Sequence, residues 1–157
     1  MPSESQPPIS KADALETTSW ASDFSWPELQ TLARHMDLSR VTGGTVIIRE
    51  GDQEAFMFIV LQGRVHVIKE DGEHNRKILY EICNGDTFGE MSIFDNEPRS
   101  ATVVADQGTS MLILNREGLE QLIEETPALA ARLLLKLGKI VSRRLRLTSG
   151  KLIDYLG

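Results

Sequence analysis

The sequence predicts a mainly β fold: an antiparallel, jelly-roll-like β-roll with an N-terminal helix before it and a long helix after it. Three observations predict this. Short β-rich runs recur between residues 45 and 115, each closed by a turn containing Gly, Asp or Asn, the spacing of strands in a small barrel or roll. Ser25 and Glu28 stand three apart ahead of an apolar run, a helix-start signature. From Pro127 onward apolar residues recur at alternating steps of three and four, as on a long amphipathic helix. With 157 residues, the chain is about one domain with a single sizeable core.

Residues 1–23, rich in Ser, Pro and Thr, show no sustained period and are expected to form a flexible tail. Order is expected from Ser25, with Pro27 in the first turn and Leu29, Leu32, Ala33 and Met36 at helical intervals. Gly43-Gly44 ends that element. Strands are then expected at TVIIR (45–49), AFMFIVL (55–61), RVHVIK (64–69), RKILYEIC (76–83) and TSMLILN (109–115). The turns between them carry Glu50-Gly51-Asp52, Gln62-Gly63, Asp71-Gly72-Glu73 and Asn84-Gly85-Asp86. Asn115 is placed to cap a helix over 116–125, with Glu117 in its first turn. Thus 24–126 reads as the β-roll with its short helices, and 127–157 as the long C-terminal helix, about 46 Å if helical throughout.

That last helix has two apolar rows. Ala131, Leu134, Gly138, Val141, Leu145, Thr148, Leu152 and Tyr155 form a heptad seam, while Leu133, Leu137, Ile140 and Leu147 form a row that can face the sheet. Two rows want two neighbours, so the element is expected to be a dimerisation helix. It is also basic: seven Lys and Arg and no acid lie between Ala128 and Ile153, and with a net charge of −6 this leaves −13 on the remainder. A net acidic chain argues against nucleic acid as the main partner. The basic residues read as a solvated face or a docking surface for an acidic partner.

Bulk composition narrows the class further. Hydrophobic residues at 41% and charged residues at 25% are those of an ordinary globular chain. The single cysteine, Cys83, excludes an internal disulfide and reads as a small buried apolar residue. The longest purely apolar run, 56–61, is too short to span a bilayer, and no secretory signal opens the chain. A cytoplasmic location is expected, with no membrane partner.

The chemistry concentrates in FGEMSIFDNEPRSATVVA, 88–105. Phosphate recognition needs fixed backbone donors and a guanidinium that bonds two oxygens at once. Gly89 permits tight geometry before a helical turn at Met91-Ser92, and Arg99, after Pro98, supplies the charge. A carboxylate at Glu90 repels phosphate but suits a hydroxyl donor such as a ribose 2′-OH. One phosphate charge, a free 2′-OH and a compact shape together describe a 3′,5′-cyclic nucleotide. The competing reading pairs Glu90 with Arg99 in an ion pair that closes a loop.

Phe88-Gly89-Glu90, followed after seven residues by Pro98-Arg99-Ser100-Ala101-Thr102-Val103, resembles the phosphate-binding cassette of cyclic-nucleotide-binding domains. The resemblance covers about 25–155. It implies that Glu90 holds the ribose 2′-OH and that Arg99 pairs with the cyclic phosphate. The Ser100 hydroxyl and the backbone of Gly89, Glu90, Met91 and Ser92 would assist Arg99. It places Ala101 in the same cassette and Val67 and Leu79 on the apolar wall of the pocket. Arg143-Arg144-Leu145-Arg146-Leu147-Thr148-Ser149 is similar to the dimer helix of the bacterial catabolite activator family, which implies that Thr148 and Ser149 contact the adenine amino group at a subunit boundary. Arg144 joins them as a ligand candidate. The cassette is one residue shorter than in the catabolite activators and carries Pro98, as in eukaryotic kinase regulatory subunits.

The resemblance implies cAMP as ligand, with cGMP as the alternative because a hydroxyl serves either base. It implies no cofactor, no metal and no catalysis: a homodimeric receptor module signalling through a partner protein of unknown identity. No recognition helix follows the long helix, so a module without a DNA-binding domain is expected, although the basic helix alone leaves a DNA-binding regulator as a further reading. A ligand-free scaffold of the same fold is another. A metal-dependent cupin would share the jelly roll, but His35, His66 and His74 lack His-x-His spacing.

Overall fold

The computed structural model describes residues 10–70 and 75–156, the last six of them as backbone only. The chain opens with helix α1 (Lys11–Glu16), a 3₁₀ turn (Ser19–Ser22) and helix α2 (Trp26–Arg34). Strands β1 (Asp37–Val41), β2 (Val46–Ile48), β3 (Phe56–Gln62), β4 (Val65–Glu70), β5 (Arg76–Ile82) and β6 (Thr87–Phe88) follow. Helix α3 (Glu90–Asp95), strands β7 (Thr102–Ala105) and β8 (Thr109–Asn115), and helices α4 (Arg116–Glu125) and α5 (Pro127–Leu156) complete it. Two antiparallel four-stranded sheets, in the orders β1-β8-β3-β6 and β2-β7-β4-β5, form the predicted roll.

The alternation of side chains along a strand explains the core. On β3, Phe58 and Val60 turn into the roll, where they join Val65, Val67, Phe88, Val103 and Met111. Met57, Ile59 and Leu61 turn the other way, against Leu29, Leu32, Leu122, Leu133 and Leu137 of the helices. Strand β3 is therefore buried on both faces, which accounts for its unbroken apolar run. The predicted capping box is present: Ser25 Oγ accepts from the Glu28 N–H, and the Glu28 carboxylate accepts from the Ser25 N–H. Asn115 caps α4 by accepting from the Gly118 N–H at 2.7 Å.

Four expectations are corrected. Residues 10–23 are not a tail, since Leu15 and Trp20 are fully buried and the Trp20 Nε1–H donates to the Gly85 carbonyl at 2.9 Å. The Ser and Thr that read as disorder are caps: Ser10 accepts from the Asp13 N–H and Thr18 from the Trp20 N–H. Residues 1–9, the Asp71-Gly72-Glu73 turn and His74 lie outside the described residues, as do the side chains of Leu152 and Tyr155. Cys83 is exposed rather than buried, because it follows the end of β5 beside the Asn84-Gly85-Asp86 turn. Helix α2 ends before Gly43-Gly44: the chain leaves it at His35 and enters β1, paired with β8 from Asp37 onward.

The fourth concerns α5. Leu133 and Leu137 are buried and Ile140 is half-buried, as expected, but Leu147 is 61% exposed. Of the seam, Leu134 and Val141 are half-buried while Ala131, Gly138, Leu145 and Thr148 are exposed. The helix is moored at its start by Arg132, which pairs with Glu28 and bonds the Asp23 carbonyl, and by Lys136, which pairs with Asp23. No helix among the described residues is long and apolar enough to cross a membrane.

Candidate functional site

The 88–105 stretch folds around one glycine. Gly89 (φ 77°) ends β6 and starts α3 in the left-handed region. A Cβ there would lie 2.8 Å from the Arg99 guanidinium and 2.9 Å from the Phe56 carbonyl. Only glycine lets the backbone turn that close to Arg99. At the other end of α3, Asn96 also adopts positive φ (55°), and the Arg116 guanidinium donates to the Ile93 carbonyl at 2.9 Å. Asp95 and Glu97 stand at this turn, both exposed.

Arg99 is held through its main chain and its side chain. Its N–H donates to the Asp52 carbonyl and its carbonyl accepts from the Gly51 N–H, both at 2.8 Å. Nη1 donates to the Gly89 carbonyl and Nη2 to the Phe56 carbonyl, each at 2.8 Å. The residue is 6% exposed, Nε has no partner, and no carboxylate among the described residues pairs with it. Burial pushes its pKa down, opposed by the charges of Glu54, Glu90 and Asp52. The guanidinium's hydrogen bonds go to carbonyl dipoles, which leaves its charge available to an anion in contact with it.

Glu90 makes a different pairing from the loop-closing one. Its Oε1 accepts from Arg144 Nη1 of α5 at 2.5 Å, while Arg144 Nη2 donates to the Thr87 carbonyl. Glu90 is 3% exposed and its Oε2 is buried without a hydrogen-bond partner among the described residues. The Arg144 guanidinium also lies over the Tyr80 ring, 5.7 Å from its centroid, a cation–π arrangement. Burial raises the Tyr80 pKa, and Arg144 opposes that rise.

These groups border one cavity of about 210 Å³. Its polar lining includes Glu90, Ser92, Arg99, Ser100 and Arg144 with the backbone of Gly89 and Met91, and the exposed Asp95 and Glu97 stand at its rim beside Pro98; its apolar lining is Ile48, Val67, Tyr80, Phe88, Ala101 and Val103. A ligand suited to it combines an anion for Arg99, a hydroxyl for Glu90 Oε2 and an apolar body against the wall.

Of the residues expected there, Leu79, Thr148 and Ser149 are not in the lining. Leu79 is displaced by a bulge: Val67 faces Tyr80 but Ile68 faces Ile78, so Leu79 is the unmatched residue of β5. Tyr80 takes the wall position instead. Thr148 bonds back to the Arg144 carbonyl at 2.9 Å and is exposed, as is Ser149. Besides Tyr80, sequence reasoning missed Ile48, Phe88 and Val103; Val46-Ile47-Ile48 and Val103-Val104 are apolar without alternation, so nothing in the sequence says which side chain faces the cavity. Among the described residues no three of His, Cys, Asp or Glu come together as a metal site. His35 instead meets Glu125, and His66 meets Glu81.

Comparison with known proteins agrees with this geometry. Residues 38–126, more than half of the chain, match the family described as Cyclic nucleotide-binding domain. A crystal structure of a cyclic nucleotide-binding domain from Methylobacillus flagellatus KT superposes with a TM-score of 0.80 at 27% identity, covering 92% of this chain and 82% of that one. The cAMP-activated global transcriptional regulator CRP of Salmonella typhimurium is 27% identical over 126 residues, 80% of this chain and 58% of the regulator. Lysophospholipase nte1 of Neurospora crassa is 26% identical over 122 residues, 75% of this chain but 8% of the enzyme. The chain thus spans less than two thirds of the length of either of these two relatives. With the matched residues enclosing the cavity walls, Gly89, Glu90 and Arg99, the chain belongs to the cyclic nucleotide-binding domain family.

Proposed function

We propose that this chain is a non-enzymatic cAMP receptor module that acts in the cytoplasm as a homodimer and relays ligand occupancy to a partner protein through α5. One observation carries the reading: the buried Arg99 guanidinium borders the cavity without a carboxylate partner, beside a buried Glu90 oxygen that is also unpartnered. A cyclic phosphate supplies the anion for Arg99, with Ser100 at its side. A ribose 2′-OH donates to Glu90 Oε2 while Arg144 keeps Oε1. The base lies against Val67, Tyr80 and Val103.

The relay follows from where Glu90 is tied. Arg144 belongs to α5, so ligand at Glu90 and the position of α5 share one carboxylate, and occupancy biases the helix between two arrangements. The exposed seam of Ala131, Gly138 and Leu145 supports a second α5 as its cover, and that second helix is the route by which Thr148 and Ser149 reach a base. The CRP relative is described as cAMP-activated, which favours cAMP over cGMP here.

Calorimetric titration of the wild type, Arg99→Ala and Glu90→Ala with cAMP and cGMP tests the proposal. The expected result is a cAMP isotherm for the wild type, none for Arg99→Ala and a weakened one for Glu90→Ala. Unchanged affinity in Arg99→Ala overturns the assignment of the pocket. Tighter binding of cGMP than of cAMP moves the base preference.

A further inference from the structure

Lys69 stands on β4 two residues beyond the cavity-lining Val67, yet it does not line the cavity itself. Its ammonium donates to the Ser100 carbonyl at 2.8 Å and pairs with Glu50 at 2.5 Å. Both contacts fall on the two segments that hold Arg99. Glu50 opens the Glu50-Gly51-Asp52 turn, whose Gly51 and Asp52 exchange two backbone hydrogen bonds with Arg99. The Glu50 N–H donates to Thr102 Oγ1 at 3.0 Å, so this turn grips the 99–102 segment on both sides of Ser100. Between those grips Lys69 takes the Ser100 carbonyl.

We propose that Lys69, with Glu50, is a positioning residue for the anion end of the site: it straps the Ser100 carbonyl outward and so fixes Ser100 and Arg99 toward the ligand phosphate. A carbonyl bonded to an ammonium is held in one orientation, and that fixes the adjoining peptide plane. The proposal rests on the cyclic nucleotide reading of the cavity.

The strap predicts opposite results from a bare charge effect. If Lys69 acted only as a nearby cation, removing the acid beside it would strengthen anion binding. If it acts by position, Glu50→Ala frees the ammonium and weakens binding. Affinity for cAMP is measured in Lys69→Met, Lys69→Arg and Glu50→Ala, with amide hydrogen exchange at Gly51 and Arg99 followed in the ligand-free proteins. The expected loss is about threefold to tenfold for Lys69→Met, the worth of one hydrogen bond, with recovery in Lys69→Arg, a smaller loss in Glu50→Ala and faster exchange at both amides in Lys69→Met. Binding by Lys69→Met within twofold of the wild type, or tighter binding by Glu50→Ala, overturns the proposal. A wild type that binds no cyclic nucleotide refutes the cyclic nucleotide reading itself. The strap is then judged by exchange alone, and unchanged exchange in Lys69→Met overturns it.

Discussion

Arg144→Ala is the most informative single change, because it separates the cavity from α5 without touching the roll. The Glu90 side chain is 4% exposed and that of Arg144 26%. Removing Arg144 leaves both Glu90 oxygens buried without a partner and takes one donor from the Thr87 carbonyl. Breaking a fully buried pair from one side costs about 3–5 kcal/mol. Arg144 is a quarter exposed, so water follows it into the gap, and we expect about 2–3 kcal/mol, a fall in Tm of about 4–12 °C for a chain of this size. Glu90→Ala removes the buried charge as well as the pair and leaves a guanidinium that water can reach, so it costs less, about 1–2 kcal/mol. The double variant contains no stranded carboxylate and is less destabilised than the sum of the singles, giving a coupling of about 1–2 kcal/mol. Urea unfolding of the four proteins, followed by tryptophan fluorescence and circular dichroism, measures the cycle. Additivity within about 0.5 kcal/mol refutes the reasoning, since it would mean that the two side chains do not sense each other.

Three further outcomes follow from the geometry. Trp20→Ala empties a fully buried site and is expected to cost about 3–5 kcal/mol, read as a Tm fall; a change under about 1 kcal/mol would return residues 10–23 to the status of a tail. Gly89→Ala places a Cβ against the Arg99 guanidinium and the Phe56 carbonyl at positive φ, so it should lose cAMP affinity and at least about 1 kcal/mol of stability, whereas full affinity would show that the turn can relax. Glu28 has its pKa lowered below the usual 4.5 by the Ser25 backbone N–H first and by Arg132 after it. A depressed folded-state value means that its contribution is present above pH 4.5 and is lost as pH falls through that folded value. Glu28→Gln should therefore lose stability relative to the wild type at pH 7 and show a shallower decline in acid, and parallel acid-unfolding curves would contradict this.

What the sequence made legible was whatever depends on neighbours along the chain. The Ser25 box, the Asn115 cap, five strands and the Gly89-to-Arg99 spacing are local patterns. What it hid depends on partners far away or on small departures from period. Thr87–Phe88 is a strand of two residues, too short to alternate, and 102–105 was read for its chemistry rather than as β7. The resemblance places Leu79 on the wall, but β5 is bulged there and Tyr80 holds that position. Trp20 lies in a four-residue 3₁₀ turn, too short to show a period, and its burial is explained by Gly85, 65 positions on. The acceptors of the Arg99 guanidinium are backbone carbonyls of Gly89 and Phe56, which no residue type announces.

The long helix shows how near a wrong assignment stood to the right one. The expected buried row runs through Leu133, Leu137 and Ile140 to Leu147. Steps of four and three continue it from Ile140 to 144 and only then to 147, and position 144 is an arginine. An apolar row that meets a base at its next step has reached the end of the apolar surface beneath it. In the structure that step lies where the sheet gives way to the cavity, and the base finds Glu90 and the Thr87 carbonyl there. Beyond it Leu145 and Leu147 are exposed, so a ligand that alters the Glu90–Arg144 contact acts on the last ion pair that ties α5 to the roll among the described residues.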